Sequence, residues 1–239
     1  VQTLLKKAAN LDIKTICPLH GPILKENLGY YIDKYNTWSN YQPEDEGVLV
    51  AYASIHGNTE KAAKLIAKTL EEKGAPKVAI TDLTRDDMAE AIEDAFRYSR
   101  LIVAAASYDG GVFPPMEDFL NRLSHKAYQN RKVGIIENGS WAPTAGKCMK
   151  TAFEGMKNIT ICGDTVTIKS TMKDEDITNM KKVFNRGFTL GNLYSKRAKE
   201  FINGFRPNHL GVLIGEVIDY KKGKVKMKLS DYINQGDAV

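Results

Sequence analysis

The stretch from Val48 to Ala67 constrains the fold of this chain more than any other. It joins a continuous apolar run at Val48–Ala51 to a short polar loop and then to a pattern in which apolar residues recur every three to four positions. A continuous apolar run is typical of a strand that is covered on both faces of a parallel sheet. The stretch therefore predicts a strand, a tight turn and a helix, with Asn58 or Thr59 as the helix cap.

The polar loop within this stretch has the composition of an anion site. Its residues are Ser54, Ile55, His56, Gly57, Asn58 and Thr59. The first amides of a helix have no partner inside it, and the helix dipole is positive there, so the loop is suited to hold a phosphate through backbone N–H groups and hydroxyls. It lacks the patterns of nucleoside triphosphate and dinucleotide loops. From six residues alone, an ordinary capped turn is the alternative.

Strand and helix patterns alternate regularly after this unit. Further strands are predicted at Val78–Thr81, Arg100–Ser107 and Val133–Glu137, and a fifth is divided between Ile159–Ile161 and Val166–Ile168. Helices are predicted at Asp86–Phe96, from Met116, after Thr144 and at Asp174–Val183. This alternation predicts an α/β fold with a doubly wound, five-stranded parallel sheet in the order 2-1-3-4-5.

In such a sheet, ligands bind beyond the carboxyl ends of the strands where the strand order reverses. The loops after the first, third and fourth strands meet at that edge. The third-strand loop contains Ser107, Tyr108, Asp109, Gly110 and Gly111, and the fourth-strand loop contains Asn138, Gly139, Ser140 and Trp141. Adjacent glycines permit positive φ and a close approach of the backbone to a ligand.

Four separate stretches resemble one family. The loop from Ser54 resembles the [ST]-x-[TH]-G-x-T loop of flavodoxins, which holds the terminal phosphate of FMN. The loops after the third and fourth strands resemble the S-x-x-x-G-G-x-x-P-P-like and G-S-x-x-W-like sequences of flavodiiron proteins (A-type flavoproteins). The runs ICPLHGPIL and YNTWSNYQPE resemble the junction in that family between a metallo-β-lactamase-like di-iron domain and a flavodoxin-like domain. The resemblance covers about residues 10–175.

The resemblance implies a domain division. Residues 1–46 are expected to be the end of the metallo-β-lactamase-like domain with a linker, residues 47–179 the flavodoxin-like FMN-binding domain, and residues 180–239 an accessory segment. His20 matches the last iron ligand of the family, but the H-x-E-x-D-H motif that supplies other ligands is missing, so we expect an orphan ligand and no di-iron centre. Because the chain opens on Val1 and not on methionine, we expect it to be a fragment.

The resemblance also implies FMN as the cofactor and electron transfer as the role. Tyr108 and Trp141 are suited to wall a flat flavin ring, and the loop backbones at Asp109, Gly110 and 138–140 to meet its polar edge. Either aromatic residue could instead cover the rim of the sheet. In the family the parent protein reduces O2 or NO, takes electrons from a rubredoxin or an NAD(P)H-linked reductase, and forms a head-to-tail dimer. We therefore expect such a redox partner and a homodimer or homo-oligomer.

Composition narrows the remaining classes. The chain is 43% hydrophobic with a net charge of +5, and no run reaches the length of a membrane span. Cys17, Cys148 and Cys162 are far apart and form no C-x-x-C pair, which predicts neither disulfides nor a zinc site and favours a cytoplasmic protein. No membrane or nucleic-acid partner is expected.

The C-terminal segment differs in kind from the rest. Val212–Tyr220 and Val225–Leu229 are predicted strands around a lysine-rich turn, which favours a hairpin or the start of a small barrel. The runs FNRGFT and RPNHLGVLIGEV resemble the C-terminal region of collagenase-like (U32-type) peptidases, without their catalytic part. Two alternative functions stay open: an NAD(P)H-dependent flavin or quinone reductase, which the Trp141 loop would obstruct, and a binding module that uses the basic tail.

Overall fold

The computed structural model describes residues 1–185, 215–221 and 224–229, and the chain divides into two compact units, Val1–Lys196 and Arg197–Val239. The described elements of the first unit are α1 (Gln2–Ala8), α2 (Leu28–Ser39), β1 (Asp45–Ala53), α3 (Asn58–Glu72), β2 (Val78–Asp82), α4 (Met88–Arg97), β3 (Tyr98–Tyr108), β4 (Gly111–Val112), α5 (Pro114–His125), β5 (Arg131–Asn138), α6 (Ala145–Glu154), β6 (Ile159–Ile161), β7 (Val166–Ile168) and α7 (Asp174–Asn185). Among the helices of the described ranges, none combines the length and apolar character needed to cross a membrane.

The parallel sheet has the predicted order. β2, β1, β3 and β5 lie side by side, and the fifth position is shared by β6, which pairs with the start of β5, and β7, which pairs with its end. Gly163 lies between the two halves with a φ of +69°, a conformation that glycine adopts without strain. The flavodoxin-like fold, including the interrupted fifth strand, is therefore confirmed.

Alternate residues of each central strand face opposite layers of helices. On one face, Val48, Val50, Ile102 and Ile136 pack with α3 and α7. On the other, residues such as Leu49 pack in a cluster that draws on α4, α5 and α6. Both faces are covered, which explains why the strands are apolar without alternation.

The predicted strand at Ile13–Cys17 is wrong. Only Ile16 pairs there, through two backbone hydrogen bonds of 2.9 Å with Leu24. A strand needs a neighbouring strand along its length, and the turn that contains Pro18 and Pro22 leaves only this one pair of residues opposite each other.

Arg131 ties the segment before β1 to the amino-terminal edge of the sheet. Its side chain is only 2% exposed, and its guanidinium donates to the carbonyl oxygens of Tyr41 (2.7 Å), Phe96 (2.6 Å), Tyr98 (2.8 Å) and Gln129 (3.0 Å). Burial lowers the pKa of this guanidinium below its usual value. The arginine thus supplies donors to carbonyls that would otherwise be buried without partners.

The described part of the second unit is an antiparallel hairpin of β8 (Gly215–Lys221) and β9 (Lys224–Leu229). It agrees with the predicted strands where they overlap, and its register shifts between Val217 and Asp219. Residues 212–214 of the predicted first strand and residues 222–223 of the turn lie outside the described residues.

We predict that Arg131→Met lowers the free energy of unfolding by about 3 kcal/mol or more, because it leaves several buried carbonyl oxygens without donors. Urea unfolding followed by circular dichroism measures this. The matched control is Arg85→Met, whose side chain is 83% exposed, and its expected change is below about 0.5 kcal/mol. Equal losses in the two variants would contradict the role given to Arg131.

Candidate functional site

The loops after β1, β3 and β5 begin at one edge of the sheet. Ala53 at the end of β1 is paired with Ala105 of β3, and Ala106 of β3 is paired with Asn138 at the end of β5. The three strand ends are therefore level. The structure brings together the three loops that contain the predicted site residues, at the edge where a doubly wound sheet binds its ligand.

In the loop after β1, the helix cap differs from the prediction. Gly57, and not Asn58 or Thr59, is the N-cap of α3, and its φ of +82° is one that glycine adopts freely. The Ser54 hydroxyl accepts a hydrogen bond of 3.0 Å from the Gly57 amide. The turn is thus closed one residue before the predicted cap, while Ile55 and His56 are exposed at its tip.

The start of α3 presents unpaired donors. Among the hydrogen bonds of the described residues, the amides of Asn58, Thr59 and Glu60 have no acceptor, and the regular helical bonding begins with the Lys61 amide, which donates to the Gly57 carbonyl. Three consecutive amides and the positive end of the helix dipole are suited to an anion.

The loop after β3 is a tight hairpin that leads into β4. Tyr108 pairs with Gly111, and the two residues between them, Asp109 and Gly110, have φ values of +53° and +73°. Positive φ at both central residues is typical of a two-residue hairpin turn. The Tyr108 ring is 48% exposed and lies 5.7 Å, centre to centre, from the ring of Phe113. It is held from one side and open on the other.

The loop after β5 is fixed at its start and open at its tip. The Asn138 amide group donates to the Ser170 carbonyl (2.9 Å) and accepts from the Ser170 amide (3.2 Å), while the Gly139 amide donates to the Ile168 carbonyl (3.0 Å). Ser140 is exposed, and Trp141 is 97% exposed. The Asn138 side chain is thus bonded within the protein, and only the tip of this loop presents side chains to solvent.

Ser107 lies at the edge but is engaged by the protein. Its hydroxyl oxygen accepts from the amides of Thr144 (2.8 Å) and Ala145 (3.1 Å), at the start of α6. The Thr144 hydroxyl in turn donates to the Gly111 carbonyl (2.9 Å). These bonds join the loop after β3 to the loop after β5.

Sequence reasoning missed one buried carboxylate at this edge. Glu137 is 8% exposed, and its carboxylate accepts from the Gly146 amide (2.7 Å) and from the Thr167 hydroxyl (2.7 Å). A Cβ on Gly146 would lie 2.8 Å from this carboxylate, so glycine permits the contact. A glutamate at the end of the otherwise apolar run of β5 is the signal that could have identified it.

Tyr52, near the end of β1, stays a neutral phenol. Burial first, and then the carboxylates of Asp82 and Glu60, raise its pKa to about 12. It is 5% exposed and is paired in the sheet with Asp82. The β1 side of the edge therefore holds a hydroxyl that does not ionise near neutral pH.

A cavity of about 400 Å³ lies at the opposite, amino-terminal edge, where Arg100 and Lys132 contribute to its lining. Arg100 donates to Glu46 (2.9 Å) and to Ser99 (2.8 Å) there. The chemistry nevertheless favours the carboxyl edge, because the open amides and exposed aromatic rings lie there.

His20 lies away from these loops. It is exposed in the turn between Ile16 and Leu24. In the part of the chain that the structure describes, no group of three or more His, Cys, Asp or Glu side chains is arranged to hold a metal ion.

Residues 49–156 match the model of a family described as "Flavodoxin domain". An uncharacterized protein of Methanocaldococcus jannaschii is 26% identical over 79% of this chain and 47% of its own length. An anaerobic nitric oxide reductase flavorubredoxin of Klebsiella pneumoniae is 21% identical over 61% of this chain and 30% of its own length. A solved structure of a mutant flavo di-iron protein from Thermotoga maritima superposes with a TM-score of 0.63 at 26% identity, over 74% of this chain and 45% of that one.

The chain thus spans less than half the length of these relatives. The matches give no support to the resemblance of the tail to collagenase-like peptidases. That resemblance rests largely on residues 186–214, which lie outside the described residues.

We predict that Gly139→Ala lowers the free energy of unfolding by about 1–3 kcal/mol, because the new Cβ must displace its neighbours. It would lie 3.0 Å from Pro143 Cα and 3.1 Å from Ser107 Oγ. Chemical denaturation measures the loss.

The matched control is Gly29→Ala in α2, where an added Cβ has no atom within 4 Å. Helix propensity makes that change neutral or stabilising by up to about 1 kcal/mol. A Gly139→Ala variant as stable as the Gly29→Ala variant would show that the loop is not packed as described.

Proposed function

Since this chain carries a flavodoxin domain and is a relative of the flavodiiron proteins, we propose that it binds FMN at the carboxyl edge of the sheet and serves as an electron-transfer module. The observation that carries the proposal is the start of α3, where the amides of Asn58, Thr59 and Glu60 are open at that edge. The match to a flavodoxin domain begins at residue 49 and includes this turn.

Phosphate recognition falls to the loop after β1. Three adjacent amides can donate to the oxygens of one phosphate group, and the helix dipole stabilises its charge. Ser54 acts by holding Gly57 in its left-handed conformation, because its oxygen accepts from the Gly57 amide. In this role Ile55 and His56 border the phosphate from the exposed tip of the loop.

The flavin ring belongs between the other two loops. Tyr108 and Trp141 are exposed aromatic side chains at the ends of neighbouring strands, and the backbone at Asp109, Gly110 and residues 139–140 is accessible between them. Flavin supplies one- and two-electron chemistry when it is bound. The protein's part is to bind and orient the ring and to limit its contact with water.

We propose that the parent protein is a flavodiiron-type oxidoreductase that reduces O2 or NO. The three domains divide at residues 1–46, 47–179 and 180–239, and the metal chemistry occurs outside this chain. Electrons arrive from a rubredoxin or an NAD(P)H-linked reductase in the cytoplasm, and the protein is a homodimer or homo-oligomer. The name flavorubredoxin of the Klebsiella relative supports a rubredoxin-type donor.

FMN titration tests the proposal. The protein is expected to bind FMN at one site, with quenching of flavin fluorescence. Ser54→Asp places a carboxylate next to the open amides and is expected to weaken FMN binding by a factor on the order of 100 through charge repulsion. Riboflavin, which has no phosphate, reports the ring alone, and its affinity is expected to stay within about twofold.

Ser124→Asp on the exposed end of α5 serves as the control, because it adds the same charge away from the crevice. A protein that binds neither flavin would refute the function. Equal losses for FMN and riboflavin in Ser54→Asp would refute the placement of the phosphate.

A second prediction concerns iron. A lone histidine cannot supply the three or four ligands that a stable metal site needs, so we expect this chain to retain only substoichiometric iron after anaerobic loading with Fe(II) and desalting. Elemental analysis measures the iron, with His20→Ala as the comparison. Stoichiometric iron that is lost in His20→Ala would contradict the orphan-ligand assignment.

A further inference from the structure

The start of α6 is bonded differently from the start of α3. Where α3 leaves three consecutive amides open, the amides of Thr144, Ala145 and Gly146 all donate to side chains. The Ser107 hydroxyl takes the first two and the Glu137 carboxylate takes the third. Two helices that begin at one edge therefore have opposite properties: one is open to an anion, and the other is closed by the protein itself.

The side chains that close α6 come from different strands. Ser107 lies near the end of β3 and Glu137 near the end of β5, while Thr167 of β7 donates to Glu137. The Thr144 hydroxyl adds a bond to the Gly111 carbonyl in the loop after β3. We call the three side chains of Ser107, Glu137 and Thr144 the α6 clamp.

The clamp joins the two loops that would hold the flavin ring. Tyr108 directly follows Ser107, and the tip residues Gly139, Ser140 and Trp141 lie between Glu137 and Thr144 in the chain. Fixing both ends of the second loop to the first limits how far their exposed aromatic side chains can move apart.

We propose that the α6 clamp preorganises the flavin-ring half of the site, so that Ser107 and Glu137 are positioning residues and not phosphate or flavin ligands. This inference rests on the proposed FMN function. A site that is ordered before binding loses less conformational entropy when the ligand enters. The clamp therefore favours the binding of any ligand that carries the flavin ring, with or without a phosphate.

The test compares FMN and riboflavin in the full chain. Ser107→Ala and Glu137→Ala are each expected to weaken both flavins by about tenfold, and by the same factor, because each removes two hydrogen bonds that order the ring loops. Glu137→Gln can keep an oxygen toward Gly146 and is expected to have a smaller effect. The ratio of the two affinities stays at its wild-type value in all three variants, whereas Ser54→Asp changes that ratio.

Matched controls remove the same groups outside the clamp. Ser124→Ala and Glu154→Gln change exposed residues of α5 and α6 and are expected to leave both affinities unchanged. Thr144→Val nearly keeps the shape of the side chain and removes only the bond to Gly111, so it tests the clamp in a variant that folds even if the others do not. Its expected loss is about threefold for both flavins.

Hydrogen exchange gives a readout without flavin. The Gly139 amide donates to Ile168, outside the clamp, so its exchange rate should rise in Ser107→Ala only if the clamp orders the whole loop. Unchanged Gly139 exchange with unchanged flavin affinity, even in a variant of lower thermal stability, would overturn the inference and leave the clamp a purely structural feature. A loss confined to FMN would also overturn it. Failure of the wild-type chain to bind either flavin would refute the proposed function instead, while the exchange result would still judge the clamp.

Discussion

The hydrogen bonds between parallel strands β1, β3 and β5 are the constraint on which the rest of the structure depends. Their register makes the three strand ends level, since Ala53 pairs with Ala105 and Ala106 with Asn138. A parallel strand requires a crossover, so each strand end is followed by a loop and, except for the short β4 hairpin, by a helix that begins at the same edge. The site is thus a consequence of topology, and the loop sequences decide what it binds.

The division between α3 and α6 gives this edge its chemistry. Helix starts are costly to leave without partners in a buried place but are available as donors where the surface is open. At α6 the cost is offset by Ser107 and Glu137, which bond three successive amides. At α3 the Ser54 hydroxyl bonds only Gly57, outside the helix, and the next three amides point to a ligand that the protein does not supply. One helix start is structural and the other functional.

The sequence predicts the strand order, the interrupted fifth strand and the three loops well, because hydrophobic patterning and chain topology determine them. It does not reveal bonds between distant residues. The sequence places Ser107 among the cofactor contacts, but its hydroxyl bonds residues 37 and 38 positions away, and the Asn138 side chain bonds Ser170, 32 positions away. The cap at Gly57 depends on backbone conformation, and the segment Ile13–Cys17 lacks a partner strand. None of these features follows from local sequence.

The most direct test of the account is the amide NMR spectrum of the protein titrated with FMN and, separately, with riboflavin. The account predicts large shifts of the Asn58, Thr59 and Glu60 amide signals with FMN and little change in them with riboflavin, while the loop signals of Tyr108 and Gly139 shift with both. If FMN left the three α3 amides unshifted, or instead perturbed residues around Arg100 at the opposite edge, the placement of the flavin phosphate at α3 would be wrong.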